Sequence, residues 1–234
     1  MTRRKRISLN DGFNPEFANG AKFDGNFEIP RIKPLNPIII PKRLAPYSKR
    51  SYIDNPKEAF ICFFENDDFF TDIVRNPVPL IEDLSRFAGI IAPDNSLYLD
   101  SPFICQAANV YRRNVIAHLL QHSNITVVAN PRWGDERSYT SDIFPEPVAF
   151  LGAPKHNIVC IGTYGCIEGD SESYHFREGL RAMLGYLEPG IVLVYGPMPK
   201  EIFGEFLDKT QFIQYNDWTK VVHGMDPYGH EVLR

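Results

Sequence analysis

The chain has 234 residues, 44% of them hydrophobic and 13% aromatic, enough to bury the core of one large domain. A formal net charge of −4 argues against a protein that coats nucleic acid through bulk charge, while leaving room for a local basic groove. No apolar run approaches the roughly 18 residues that a membrane span needs, and the basic start "MTRRKRISLN" lacks the apolar stretch of a secretory signal.

That basic start reads as a disordered tail or, more sharply, as an arm that touches nucleic acid. Residues 1–57 carry prolines at 15, 30, 34, 37, 41, 46 and 56. Each proline removes a backbone donor and clashes with a preceding helical turn, so "FEIPRIKPLNPIIIPKRLAPYSKR" cannot be a regular helix. The expectation is an extended, basic arm over residues 1–57 packing onto a single α/β domain over 58–234.

From residue 58 short apolar runs alternate with helical patterns. The predicted strands are "AFICFFE" (59–65), "FAGIIAP" (87–93), "ITVVAN" (125–130), "NIVCIGT" (157–163), "GIVLVYG" (190–196) and "QFIQYN" (211–216). Helices are predicted between them. One opens at Asn76-Pro77, a long one follows Ser101-Pro102, one runs through Phe176, Leu180, Met183, Leu184 and Leu187, and a short one covers "PKEIFGEFLDKT". Such strands are buried on both faces, and the β–α–β alternation forces parallel pairing. The fold class is therefore α/β, a mostly parallel sheet of about six strands with alternating helices. An open doubly wound sheet and an incomplete barrel-like arrangement both accommodate it, and periodicity does not separate them.

Cys62 and Cys160 lie inside apolar runs and no CxxC pair occurs. This is the usage of a reduced, cytoplasmic protein without a structural zinc site. His118 and His122 share a helix face but have no third ligand, and Cys166 follows a glycine turn without a demonstrable partner.

In either architecture ligands gather at the carboxyl ends of the strands. Those ends hold Glu65 after the first strand, Asp94 and Tyr98 after the second, and "NPRWGDERSY" after the third, with Arg132, Trp133, Asp135 and Arg137. Thr163 ends the fourth. On the long helix Gln106, Asn109 and Arg113 share a face that would look toward the same rim. "GTYGCIEGD" is neither a P-loop nor a dinucleotide fingerprint.

Several stretches together, "GIIAPDNSLYLDSPFICQAANVYRRN", "VVANPRWGDERSY", "IVCIGTYGCIEG" and "FREGLRAMLGYLEPGIVLVYG", resemble a family of bacterial, phage and mobile-element proteins described as a domain of unknown function. The resemblance covers roughly residues 20–210. Asn95 departs from it, since an aromatic is expected there. It implies a phage, plasmid or genomic-island setting and brings no reaction.

Two functions fit these residues. The first is an enzyme acting on a nucleotide, nucleobase or nucleic-acid phosphate. Asp94, with Glu65 or Asp135, would act as general acid/base or hold a divalent cation such as Mg²⁺. Arg132, Arg137 and Arg113 would hold the anion, Trp133 and Tyr98 would stack on a base, and Asn109 and Thr163 would complete the site. The second is a non-catalytic accessory that binds nucleic acid or a host protein through its basic arm. A hydrolase acting on a sugar would use the same carboxylates. No membrane partner is expected.

Overall fold

The computed structural model describes residues 11–232. A small antiparallel hairpin comes first, β1 (Phe23–Asp24) against β2 (Ile29–Pro30). Strands β3 (Arg43–Pro46), β4 (Ala59–Cys62), β5 (Gly89–Ile91) and β6 (Val127–Val128) then pair in parallel in that order. A second sheet holds β7 (Ile158–Gly162), β8 (Ile191–Tyr195) and β9 (Gln211–Tyr215) in parallel, with β10 (His230–Glu231) antiparallel on its edge.

Helices fill the connections. Helices α1 (Thr71–Arg75) and α2 (Ile81–Leu84) lie between β4 and β5, and α3 (Phe103–His122) between β5 and β6. Helix α4 (Glu136–Tyr139) follows β6, α5 (Asp170–Leu187) links β7 to β8, α6 (Lys200–Phe203) links β8 to β9, and α7 (Trp218–Val222) follows β9.

The six predicted strands are all present, yet they do not form a six-stranded doubly wound sheet. The two sheets meet at both edges. Ala129 bridges Val159 in parallel, with the Cys160 amide donating to the Ala129 carbonyl at 2.9 Å. On the far side Arg43 bridges Tyr228, and the Gly229 amide donates to the Lys42 carbonyl at 2.9 Å. The strands thus encircle an interior.

The side-chain alternation follows from that arrangement. Phe60, Cys62 and Phe64 point inward with Ile158, Cys160, Leu193 and Tyr195, forming one buried cluster. Their neighbours Ala59, Ile61 and Phe63 pack outward in a cluster with residues of α1–α3, while Val159, Ile161, Val192 and Val194 face α5 and α6. Both faces are apolar because both are covered, as parallel sheets require. Each fully buried large apolar side chain contributes about 1.5–3 kcal/mol. Gly162 makes room inside the ring, where any Cβ would overlap the Phe64 ring.

The proline-rich segment is not an arm laid over a finished core. Residues 43–46 supply β3, with Leu44 in the inner cluster and Ala45 in the outer one. Pro46 is tolerated because it closes the strand instead of interrupting it. The basic residues "RRKR" at 3–6 lie outside the described residues.

Candidate functional site

All the loops that follow parallel strands open on one end of the ring. Between the ends of β5, β6 and β7 they enclose a cavity of about 560 Å³, within the usual range for small-molecule sites. The segment after β6 builds its floor. Asn130, 2% exposed, donates its Nδ2 to Asp94 Oδ1 at 2.7 Å. The Nη1 of Arg132 lies 3.4 Å from Asp94 Oδ2 and 2.9 Å from the Cys166 sulfur. The Cys166 thiol in turn donates to the Tyr164 carbonyl at 3.1 Å.

The electrostatics follow from burial and pairing. Burial disfavours the charge on Arg132, but Asp94 and the Cys166 sulfur outweigh it and hold the guanidinium above its ordinary pKa. Burial pushes the Cys166 thiol up, and the nearby Arg132 only partly offsets this. Asp67, which accepts from the Ser96 amide at 3.2 Å and hydroxyl at 2.8 Å, is also raised. Burial is the main cause, Asp94 adds to it, and the Ser96 hydrogen bonds and Arg132 oppose it.

One wall is aromatic. Trp133 packs against Phe150 and Phe176, and its Nε1 donates to the His175 carbonyl at 3.2 Å. Helix α5 can approach this closely because position 179 is glycine, where a Cβ would overlap the indole. The first two turns of α5 bring Ser171, Glu172 and His175 to the cavity, and the loop after β5 brings Tyr98 and Asp100. His175 Nδ1 meets the Tyr139 hydroxyl at 3.0 Å.

One fully buried polar atom in the wall lacks a partner. Asn130 Oδ1 is buried and makes no hydrogen bond. Its orientation is fixed by the other end of the amide, since turning it over would aim the carbonyl at the Asp94 carboxylate. A buried unpaired acceptor costs about 1–3 kcal/mol, and such atoms in native proteins call for a physical reason.

Neither acid expected to act with Asp94, Glu65 or Asp135, joins it at the cavity. Asp94 stands behind Asn130 and Arg132 and does not line the cavity. Glu65 lies in a second, smaller hollow, where it accepts from the Ser48 amide at 2.8 Å and hydroxyl at 2.5 Å. Asp135 caps α4 and pairs with Arg137, the local partnership that two residues of separation permit. Among the described residues no group of three or more His, Cys, Asp or Glu could hold a metal ion. The residues present therefore do not fit a Mg²⁺ site built on Asp94, Glu65 and Asp135.

The expected ligand-holding residues divide as well. Arg132, Trp133 and Tyr98 line the cavity. Trp133 is only 6% exposed, so it serves as a wall and not as a free stacking face. Arg113 is fully buried and donates to the Arg132 carbonyl at 3.0 Å and to the Ala149 carbonyl. Burial lowers its pKa to about 9, with Asp94 opposing, which still leaves it charged at neutral pH. Arg137 donates to the Leu99 and Ser101 carbonyls besides Asp135. Asn109 donates to the Ser96 carbonyl at 2.7 Å, and Thr163 to the Pro197 carbonyl at 2.7 Å. These four tie the rim loops together, with Arg137 Nη1 alone among their terminal guanidinium nitrogens lacking a partner among the described residues. The polar cavity residues outside the expected site set include Asn130, Asp100 and Cys166, which the rule of strand ends does reach, and Ser171, Glu172 and His175, which it does not. For Glu172 and His175 the available signal was a helix start directly after a strand's carboxyl end.

The smaller hollow, about 130 Å³, lies at the same end between the end of β8 and the loops after β3, β4, β7 and β9. Its innermost polar groups are paired: Glu65 with Ser48, the Tyr195 hydroxyl with the Trp218 amide at 2.8 Å, and Asp217 as the cap of α7, while Lys49 and Tyr164 reach its rim. Among the described residues no helix is long and apolar enough to cross a membrane, and Cys62, Cys105, Cys160 and Cys166 are all free.

Comparison with known proteins places this site in a wider group. Over 174 residues the chain is 26% identical to the Gene 1 protein of Mycobacterium phage L5, covering 74% of this chain and 72% of that protein. Over 173 residues it is 28% identical to the Gene 1 protein of Mycobacterium phage D29, covering 73% of this chain and 60% of that protein. No solved structure matches. The family described as Domain of unknown function (DUF4417) matches residues 21–216, a span that takes in the ring from β3 to β9 and every residue around the cavity. The chain belongs to this family.

Proposed function

We propose that the protein is an enzyme that binds a nucleotide, or one unit of a nucleic-acid strand, in the cavity between the ends of β5, β6 and β7 and acts on it there. One observation carries the reading: a cavity of about 560 Å³ has an aromatic wall on one side and the buried Asp94–Arg132–Cys166 cluster at its floor. Trp133 and Phe176 give the cavity an apolar side along which a flat ring would lie, without either being a free stacking face. Cys166, His175, Glu172 and Asp100 are among the wall groups able to form a bond or move a proton, while Asp94 positions Asn130 and Arg132. The phage relatives name neither a ligand nor a reaction.

The alternative is a non-catalytic accessory working through a basic arm, whose "RRKR" lies outside the described residues and whose later cations are partly paired. Arg31 is held by Asp24, Lys42 by Glu58 and Arg50 by Asp83.

Thermal unfolding with nucleoside mono- and triphosphates and short single-stranded oligonucleotides tests the proposal. A ligand at a hundredfold excess over its Kd stabilises by about 2.7 kcal/mol, which raises the Tm of a chain this size by about 5–10 °C. Asp94→Ala should abolish the rise, and mass analysis of the incubated nucleotide should show a chemical change with the unaltered protein alone. If no nucleotide or oligonucleotide raises the Tm, the reading is wrong.

A further inference from the structure

We infer that Asn130 and Arg132 form a donor–acceptor pair that reads the hydrogen-bonding edge of a planar cyclic amide or amidine, the chemistry of a nucleobase, so that the ligand enters base first. The inference rests on the nucleotide reading above and deepens it. Both residues line the cavity, and both are fixed from behind by the same carboxylate, Asp94. Asn130 spends its Nδ2 on that carboxylate and leaves its Oδ1 without a partner. Arg132 spends its Nη1 on Asp94 and Cys166, and its Nε and Nη2 have no partner among the described residues. Two cavity-lining residues two positions apart thus hold one buried acceptor without a partner and donors without partners. An N–H beside a carbonyl, or an amino group beside a ring nitrogen, satisfies both at once. A phosphate satisfies only the donors and leaves Asn130 Oδ1 orphaned.

The surroundings discriminate in the same direction. Asp100 and Glu172 line the cavity, Asp67 and Asp94 lie behind it, and the charge of Arg132 is already matched by Asp94. An anion pushed to this floor meets more carboxylates than free cations. A neutral base seated against Trp133 meets none of that repulsion, and its sugar and phosphate would remain toward the cavity mouth.

Calorimetric titration with nucleosides and their edge-blocked forms tests this without relying on a variant's folding. The probes are adenosine, guanosine, cytidine and uridine and their monophosphates, with the neutral edge-blocked forms N6,N6-dimethyladenosine, 1-methylguanosine, N4,N4-dimethylcytidine and 3-methyluridine, and inorganic phosphate. At least one unmodified nucleoside should bind within about threefold of its monophosphate, and methylation of its edge should weaken it by about tenfold or more. Inorganic phosphate should not compete. Asn130→Ala should remove the preference for the unblocked edge, and Arg132→Lys, which keeps the charge but loses the planar fork, should weaken binding similarly. If a nucleotide binds but phosphate competes or the methylated forms bind equally, the edge-reading inference is overturned while the nucleotide reading stands. If neither nucleosides nor nucleotides bind, both fall.

Discussion

The two hollows at the carboxyl end of the ring are made of similar parts and treat them differently. Each has an acid near its base, Asp94 in one and Glu65 in the other, and each has aromatic walls. In the small hollow the acid is consumed by Ser48, and the neighbouring Tyr195 hydroxyl and Asp217 are also paired. In the large cavity the acid is consumed too, but by two residues that keep other atoms free. Asn130 Oδ1 is orphaned, and Arg132 retains unspent donors. Pairing that satisfies every group makes structure, whereas pairing that fixes a residue while leaving one end unmet prepares a surface for something else. A carboxylate at a strand end is thus informative only together with what its partners have left over.

The contrast can be broken most forcefully at Trp133. Its indole is part of the hydrophobic core and of the cavity wall at once. Trp133→Ala should cost about 3–5 kcal/mol in urea unfolding and remove nucleoside binding. Unchanged stability would show that the wall is not built on the core. A smaller effect is expected in the other hollow. Ser48→Ala leaves Glu65 with one hydrogen bond fewer and should cost about 0.5–1.5 kcal/mol, with nucleoside affinity unchanged. A loss of affinity in that variant would mean that the two hollows act as one site.

The finest distinction concerns thiols. Burial raises the Cys166 pKa, so its thiolate fraction at neutral pH is below that of an ordinary cysteine. Iodoacetamide should therefore modify the exposed Cys105 faster at pH 7.5, and the Cys166 rate should keep climbing with pH beyond about 8.5, the ordinary thiol value. Arg132→Ala removes the cation that lowers this pKa, so labelling of Cys166 at fixed pH should slow further. Faster labelling in that variant would mean that Arg132 acts mainly as a steric shield.

The six predicted strands were legible because each lies in a continuous apolar run, and α3 and α5 because their apolar positions recur at helical spacing. Strand β3 was not, since its four residues sit among prolines, and β10 was not, since His230 and Glu231 are polar and exposed. Closure of the ring was hidden for a different reason. It depends on the Ala129–Val159 and Arg43–Tyr228 bridges, and apolar runs look the same whether a parallel sheet is open or closed. The loops that carry the site could be placed by the rule of strand ends, and Arg132, Trp133 and Tyr98 do meet there. Partner choice could not be read. Asp135 lies beside Arg137 in sequence, so that pair was foreseeable, but nothing in the string joins Glu65 to Ser48 or Asp94 to Asn130. Those contacts exist because parallel neighbours present their following loops side by side.

The bridge between Arg43 and Tyr228 has a consequence for how the molecule comes into being. The two residues are 185 positions apart (228 − 43), and β10 lies beyond residue 216, where the family match ends. Each parallel pairing up to β9 can be made as successive strands emerge from the ribosome, but the last seam waits for the final stretch of the described chain. Until then β3 presents an open edge and the inner ring residues lack one side of their enclosure. The first and last strands of the ring therefore share one fate during synthesis, and the cavity's scaffold is complete only when both are present.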